Sequence, residues 1–107
     1  MIVSMKQIEA LCRQIGREFQ PEQIVLFGSY AYGRATNDSD VDLLVIMPYD
    51  GKGWRLAGKI RGCIRPKFPL DILVRSPEQI RQRLTLGDCF LKEITEKGKV
   101  LYESASR

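Results

Sequence analysis

The sequence Gly-Ser-Tyr-Ala-Tyr-Gly at residues 28–33, followed by Ser-Asp-Val-Asp-Leu-Leu-Val at residues 39–45, decides the fold of this chain. The first segment follows a short apolar run, which predicts a buried strand that ends at a glycine turn. The second places two acidic residues, Asp40 and Asp42, in a strand predicted for Asp40–Met47. Glycine turns and acid pairs are each common, so the prediction rests on their combination.

The acid pair predicts a metal site. Residues i and i+2 of a strand project from the same face, so Asp40 and Asp42 are expected to lie together. Two carboxylates about 7 Å apart repel by roughly 2 kcal/mol at an effective dielectric constant of about 20. Two divalent cations would reverse the sign of that interaction, and Mg²⁺ prefers such oxygen ligands.

A third carboxylate lies in the apolar segment Pro69–Val74, which predicts another strand. An acid in such a position is costly unless it is paired or metal-bound. If this strand lies beside the one that carries Asp42, Asp71 joins the pair. Asp71 would then bind one metal ion and orient or deprotonate an acceptor hydroxyl.

The pair Gly28-Ser29 predicts a phosphate site. A strand that ends in glycine and turns into a helix start exposes backbone N–H groups, which suit an anion. Gly28 would let the phosphate approach the backbone, and Ser29 can donate its hydroxyl. The alternative is that Gly28-Ser29 is an ordinary turn and Asp40-Val41-Asp42 a capped or solvated loop.

The remaining elements alternate between helix and strand patterns, which predicts an α/β sheet covered by helices. Ser4 and Gln7 form a capping-box pattern at the start of the first helix. The other predicted elements are helix Met5–Phe19, strand Gln23–Phe27, helix Asp50–Ile64 with a loose start, a helix capped by Ser76, a helix capped by Asp88 and ended by Gly98, and Val100–Tyr102 as a strand or extended tail.

Composition bounds the class of protein. The 107 residues fit one domain, and 44% hydrophobic with 28% charged residues are typical of a soluble globular protein. No signal-type segment or membrane-length apolar run is present. Three widely spaced cysteines suit reduced thiols in the cytoplasm, and the absence of histidine leaves proton transfer to carboxylates or a metal.

The net charge of +4 is unevenly distributed. Between Lys52 and Arg83 there are nine basic residues against Asp71 and Glu78. Such a stretch can meet nucleotide phosphates, RNA or an acidic protein face, or it can be a solvated helix face. Because no aromatic residues alternate with the charges, we expect no direct binding of nucleic acid.

Gly28-Ser29, ten intervening residues, and Asp40-x-Asp42 together resemble the motif of the DNA polymerase beta-like nucleotidyltransferases. The fuller pattern from Gly28 to Val45 is similar to the minimal nucleotidyltransferase branch, which includes antitoxins paired with HEPN-type ribonuclease toxins. The resemblance extends over about residues 8–102. It implies a mixed sheet flanked by helices and nucleotidyl transfer from a nucleoside triphosphate with two Mg²⁺ ions.

The resemblance also implies roles for individual residues. Gly28 and Ser29 would hold the triphosphate of ATP, Asp40 and Asp42 would bind the metals, and Asp71 matches the third acidic position.

One position departs from the family pattern. Tyr32 stands where many members carry arginine, which puts contacts near the nucleotide in question. Arg34 can touch phosphate or belong to a solvated loop.

The short chain suggests where the acceptor lies. Residues 1–107 are expected to form a single minimal nucleotidyltransferase domain, so the acceptor should belong to another protein. Members of toxin–antitoxin pairs can transfer AMP to a tyrosine hydroxyl of the toxin, which implies a HEPN-type partner and a hetero-oligomer. Two alternatives stay open: an antitoxin that neutralises its partner by binding alone, and a transferase that acts on a small molecule or an RNA end.

Overall fold

The computed structural model describes residues 2–104. The elements in chain order are α1 Met5–Phe19, β1 Gln23–Phe27, β2 Val41–Ile46, α2 Gly53–Ile64, β3 Leu70–Arg75, α3 Pro77–Thr85, α4 Cys89–Lys97 and β4 Lys99–Glu103. The strands form one sheet in the order β3-β2-β1-β4. β1 runs antiparallel to β2 and to β4, whereas β3 runs parallel to β2. The predicted α/β class with a mixed, helix-flanked sheet is confirmed.

Capping hydrogen bonds from side chains mark the start of three helices. At α1 the Gln7 amide donates to the Ser4 hydroxyl at 3.2 Å, and the Ser4 amide donates to the Gln7 side chain at 2.9 Å. Ser76 and Gln79 repeat this reciprocal pair at α3. The Leu91 amide donates to Asp88 at 3.0 Å at the start of α4. These bonds satisfy amides that a helix start leaves without partners, which explains why the predicted starts were correct.

The bounds of three elements differ from the predicted ones, and β2 also ends one residue earlier than predicted, at Ile46. α2 begins at Gly53 instead of Asp50. β2 begins at Val41, whose amide donates to the Pro69 carbonyl at 3.0 Å, so Asp40 lies just before the strand. β3 is Leu70–Arg75 instead of Pro69–Val74, because proline has no amide for the ladder. The segment Val100–Tyr102 is part of a strand and not a free tail.

Both faces of the sheet are covered. Val41, Leu43 and Val45 of β2 are buried in one core cluster with the apolar sides of α1 and α2. Leu44 and Ile46 alternate with them and are buried in a second cluster with residues of α3 and α4. Because alternate strand residues point to opposite faces, Asp42 lies on the face of α3 and α4.

The β3 edge of the sheet is partly blocked by side chains. Arg61 of α2 donates to the Leu70 carbonyl, and Arg75 donates to the Val74 carbonyl at 2.8 Å. Exposed strand edges invite pairing with another chain, and native proteins guard against it with charged side chains and covering segments. These two arginines therefore leave less free backbone at the β3 edge.

The structure shows the surroundings of all three cysteines. Cys12 is buried, Cys63 and Cys89 are exposed, and all three are free. Burial raises the pKa of the Cys12 thiol to about 12, so this residue acts as a small apolar side chain in the core.

Within residues 2–104 no helix combines the length and hydropathy that crossing a membrane requires.

Gly98 should be required where α4 turns into β4. A Cβ atom added there would lie 2.5 Å from the Ile94 carbonyl oxygen and 2.7 Å from a methyl group of Val25. We expect Gly98→Ala to lower the free energy of unfolding by roughly 1–3 kcal/mol, because the backbone must shift. Urea unfolding followed by circular dichroism measures the change.

Gly58→Ala is the matched control, since a Cβ added there in α2 meets nothing within 4 Å. Helix propensity alone should then stabilise the protein by up to about 1 kcal/mol. Equal effects of the two substitutions would contradict this account of Gly98.

Candidate active site

The predicted second and third carboxylates lie side by side. Asp42 of β2 is in register with Asp71 of the parallel strand β3, and on its other side it is in register with Phe27 of β1. Neighbouring strands lie about 4.8 Å apart, and residues in register share a face of the sheet. Asp71, Asp42 and Phe27 therefore form a row across three strands.

Both other carboxylates raise the pKa of Asp42. Partial burial is the largest cause that raises its pKa to about 6, followed by the charge of Asp71, then that of Asp40, and a hydrogen bond with Asp71. A desolvated carboxyl group with like charges beside it favours its protonated form.

Asp40 is less closely involved than predicted. It precedes β2, its side chain is exposed, and its charge affects Asp42 less than the charge of Asp71 does. Within residues 2–104 no three His, Cys, Asp or Glu side chains stand together as a complete metal-ligand group. Asp42 and Asp71 come together, with Asp40 at their margin.

Gly28 lies directly against the Asp42 carboxylate. Its φ is +74°, and a Cβ atom added to it would lie 2.2 Å from Oδ2 of Asp42. Glycine is therefore required twice over, for its backbone conformation and for the space that the carboxylate occupies. This contact joins the predicted phosphate turn to the predicted acids.

Residues 29–33 form a hydrogen-bonded turn, not a helix. The Gly28 carbonyl accepts from the amides of Ala31 at 3.0 Å and Tyr32 at 3.3 Å, and the Ser29 carbonyl accepts from Arg34 at 2.9 Å. The bonds that close the turn begin with the Ala31 amide, so the preceding Ser29 amide lies outside them. A leading amide of this kind suits an anion.

Sequence reasoning missed the residue that anchors the turn. Tyr30 is buried, and its hydroxyl accepts a hydrogen bond from the Val3 amide at 3.0 Å. This bond ties the turn to the segment just before α1. An aromatic residue between two glycines was the available signal, since glycine turns seldom need a large apolar side chain.

Tyr32, the position that departs from the family pattern, lies near Glu93 of α4. Partial burial and the charge of Glu93 raise the pKa of its hydroxyl, whereas Arg34 lowers it. Arg34 itself is exposed. The charge of Glu93 on α4 thus reaches the hydroxyl of Tyr32 in the turn.

The chain belongs to the family described as Nucleotidyltransferase domain, whose profile matches residues 4–102. The protein is therefore a nucleotidyltransferase, and the family resemblance inferred from the Gly-Ser and Asp-x-Asp motifs is confirmed.

The chain is also similar in sequence to a protein of another organism. The chain is 30% identical over 82 residues to a protein of Methanocaldococcus jannaschii named putative protein adenylyltransferase MJ0604, covering 76% of this chain and 78% of the relative.

Solved structures share the fold. A nucleotidyltransferase of Sulfolobus solfataricus, itself named putative, superposes with a TM-score of 0.63 at 13% identity, over 94% of this chain and 81% of that one. A toxin–antitoxin structure with AMP-PNP gives a TM-score of 0.57 at 23% identity, over 91% and 74% of the two chains.

Gly28→Ala should damage the site beyond its cost in backbone strain. Gly33 offers a matched control, because its φ is +72° and a Cβ atom there meets nothing within 4 Å. Both alanine variants should lose roughly 1–2 kcal/mol of stability from the left-handed backbone. Only Gly28→Ala should also displace the Asp42 carboxylate and abolish nucleotidyl transfer.

Urea unfolding and an activity assay on both variants check this expectation. Equal activity of the two variants would contradict the role assigned to the contact between Gly28 and Asp42.

Asp42→Asn should stabilise the metal-free protein at neutral pH. The folded-state pKa of Asp42, about 6, exceeds its ordinary value of 3.8, so ionisation of this group destabilises the fold as pH rises through 6. Asparagine removes that charge and can still donate to Asp71. After allowance for solvent screening we expect a gain on the order of 1 kcal/mol at pH 8.

Thermal unfolding of both proteins in a chelator, from pH 8 to pH 4, measures the difference. The gain should shrink as pH falls through 6 and vanish near pH 4. Asp38→Asn, which removes one charge in the exposed loop before β2, is the control for a general charge effect. A gain for Asp42→Asn that stays constant with pH would contradict the assignment.

Proposed function

We propose that this protein is an Mg²⁺-dependent adenylyltransferase that moves AMP from ATP to a hydroxyl group of a partner protein. The observation that carries the proposal is the placement of Asp42 and Asp71 in register on adjacent strands, with Gly28 against Asp42. We further propose that the partner is a HEPN-type toxin and that the two proteins form a hetero-oligomer.

Similar proteins support the acceptor class and the nucleotide. The relative of M. jannaschii bears the name of a protein adenylyltransferase. One fold neighbour was solved as a toxin–antitoxin with AMP-PNP, an ATP analogue. Another, the toxin–antitoxin MntA-HpeT, was solved with two aspartates two positions apart changed to glutamate, the same spacing as Asp40 and Asp42.

The acidic side chains fit magnesium. Asp42 and Asp71, with Asp40 beside them, offer only oxygen donors, and Mg²⁺ commonly takes one or two carboxylates together with substrate phosphates and water. The two Mg²⁺ ions, when bound, would supply positive charge that stabilises the entering and leaving oxygens of an in-line displacement.

The chain's own residues position the reactants. Gly28 lets the triphosphate approach the backbone, and the amide and hydroxyl of Ser29 donate to its oxygens. Asp71, exposed at the β3 side, orients the acceptor hydroxyl and takes its proton. The hydroxyl oxygen attacks the α-phosphorus. The bond from that phosphorus to the oxygen it shares with the β-phosphorus breaks, and pyrophosphate leaves with that oxygen.

The basic segment after β2 supports a protein partner. Residues 52–67 hold six basic and no acidic residues, and all six are exposed. Such a surface attracts an acidic protein face and speeds encounter. It lies on α2 and the loop that follows, away from the α3 and α4 face that carries the acids, so it suits docking more than contact with the triphosphate.

Transfer of label from ATP tests the proposal. The protein is incubated with Mg²⁺, a HEPN-type toxin protein as the candidate acceptor, and ATP labelled at the α- or the γ-phosphate. We expect the partner to take up α-label and no γ-label, because AMP and not phosphate is transferred. Asp40→Asn combined with Asp42→Asn should reduce labelling at least a hundredfold, since the main acidic group is lost.

Asp38→Asn is the control for charge, because this aspartate lies in the adjacent exposed loop, two residues before Asp40. It should label like the wild type. Wild-type labelling by the Asp40→Asn and Asp42→Asn double variant would contradict the mechanism. A double variant that neither labels nor loses its ability to neutralise the toxin would favour an antitoxin that acts by binding alone.

A further inference from the structure

Two aromatic rings extend the row of site residues. Phe27 of β1 and Phe90 of α4 meet edge to face, with ring centroids 5.7 Å apart and planes at 84°. Phe90 is 54% exposed although its neighbour Leu91 is buried in the core beneath α4. A large apolar side chain held by an aromatic partner and still half open to solvent can cover a flat ligand.

The position of these rings relates them to the acids. Phe27 is in register with Asp42 on the same face of the sheet, so the Phe27–Phe90 pair lies beside the carboxylate group. Phe27 also directly precedes Gly28, where the proposed phosphate turn begins. Phe90 therefore contacts Phe27, and Phe27 adjoins both the Asp42 carboxylate and the phosphate turn.

We propose that Phe90, supported by Phe27, is the stacking surface for the base of the bound nucleotide. This inference rests on the proposed nucleotidyl transfer and adds the residue that holds the base. Every nucleobase has a flat π face that stacks on aromatic side chains. The base is also tethered to the phosphates at the adjacent turn, which raises its effective concentration at the ring.

The sheet order favours the nucleotide base over an aromatic side chain of the acceptor. The row runs from Asp71 on β3 through Asp42 on β2 to Phe27 on β1. The rings lie at the β1 end with the phosphate turn, whereas Asp71, proposed to orient the acceptor, lies at the opposite end. The nucleotide and the acceptor thus approach from opposite sides of Asp42.

Binding of nucleotide without acceptor tests the inference. Calorimetric titration with ATP, with UTP and with inorganic tripolyphosphate, each with Mg²⁺, separates base contacts from phosphate contacts. Loss of the ring in Phe90→Ala or Phe90→Leu should weaken ATP binding on the order of tenfold and leave tripolyphosphate binding unchanged. Phe90→Tyr, which keeps the ring, should bind ATP like the wild type.

Base size gives a second measure. Because a purine overlaps the ring more than a pyrimidine does, the wild type should prefer ATP to UTP, and Phe90→Ala should reduce that preference. Trp54→Ala is the control, since Trp54 is an aromatic residue of α2 with 70% exposure on the other side of the sheet. It should leave all three affinities unchanged.

Two results would overturn the inference. One is wild-type affinity for ATP in folded Phe90→Ala and Phe90→Leu. The other is an equal loss of ATP and tripolyphosphate binding, which would mean that the ring supports the turn and not the base. Thermal unfolding of each variant verifies folding, and Phe90→Leu retains apolar contact with Phe27. If the wild type binds neither ATP nor tripolyphosphate, the proposed function itself fails, which is a distinguishable result.

Discussion

The confinement of the Asp42 carboxylate between Gly28 and Asp71 is the constraint on which the site depends. Its Oδ2 atom occupies the space that a side chain at position 28 would fill, and a second carboxylate lies in register on the next strand. The metal-free protein therefore holds an arrangement that is unfavourable by itself, as the raised pKa of Asp42 records. An arrangement of this kind persists because the strands on both sides are fixed by two apolar cores.

The sheet topology makes this confinement possible. β1 and β2 are antiparallel neighbours joined by the turn and the loop, so the end of β1 returns beside the start of β2. The start of β3, which carries Asp71, lies at the same end of the sheet because β3 runs parallel to β2 after the crossover through α2. With β3 antiparallel, Asp71, which lies near the start of its strand, would be placed at the far end of the sheet.

Much of the fold was predictable because its signals are local. Capping residues and apolar periodicity placed α1, and the short β-branched run placed β1. The spacing of the motif grouped Gly28 with Asp42 but did not predict that the two residues are in contact. The pairing of β4 with β1 and the approach of Phe90 to Phe27 were not, because they join residues far apart in sequence through packing alone. The start of β2 was missed by one residue, since Asp40 fits a strand pattern but precedes the first ladder bond.

The blocked edge of the sheet limits how a partner can reach the site. Asp71 lies near the start of β3, the edge strand, where the Leu70 carbonyl is taken by Arg61 and the Val74 carbonyl by Arg75. A partner strand added at this edge would have to displace both arginine contacts. An acceptor that uses Asp71 therefore approaches more easily with a side-chain hydroxyl from a rigid surface than as an extended strand. This preference is compatible with the proposal of a folded protein partner that docks on the basic residues of α2.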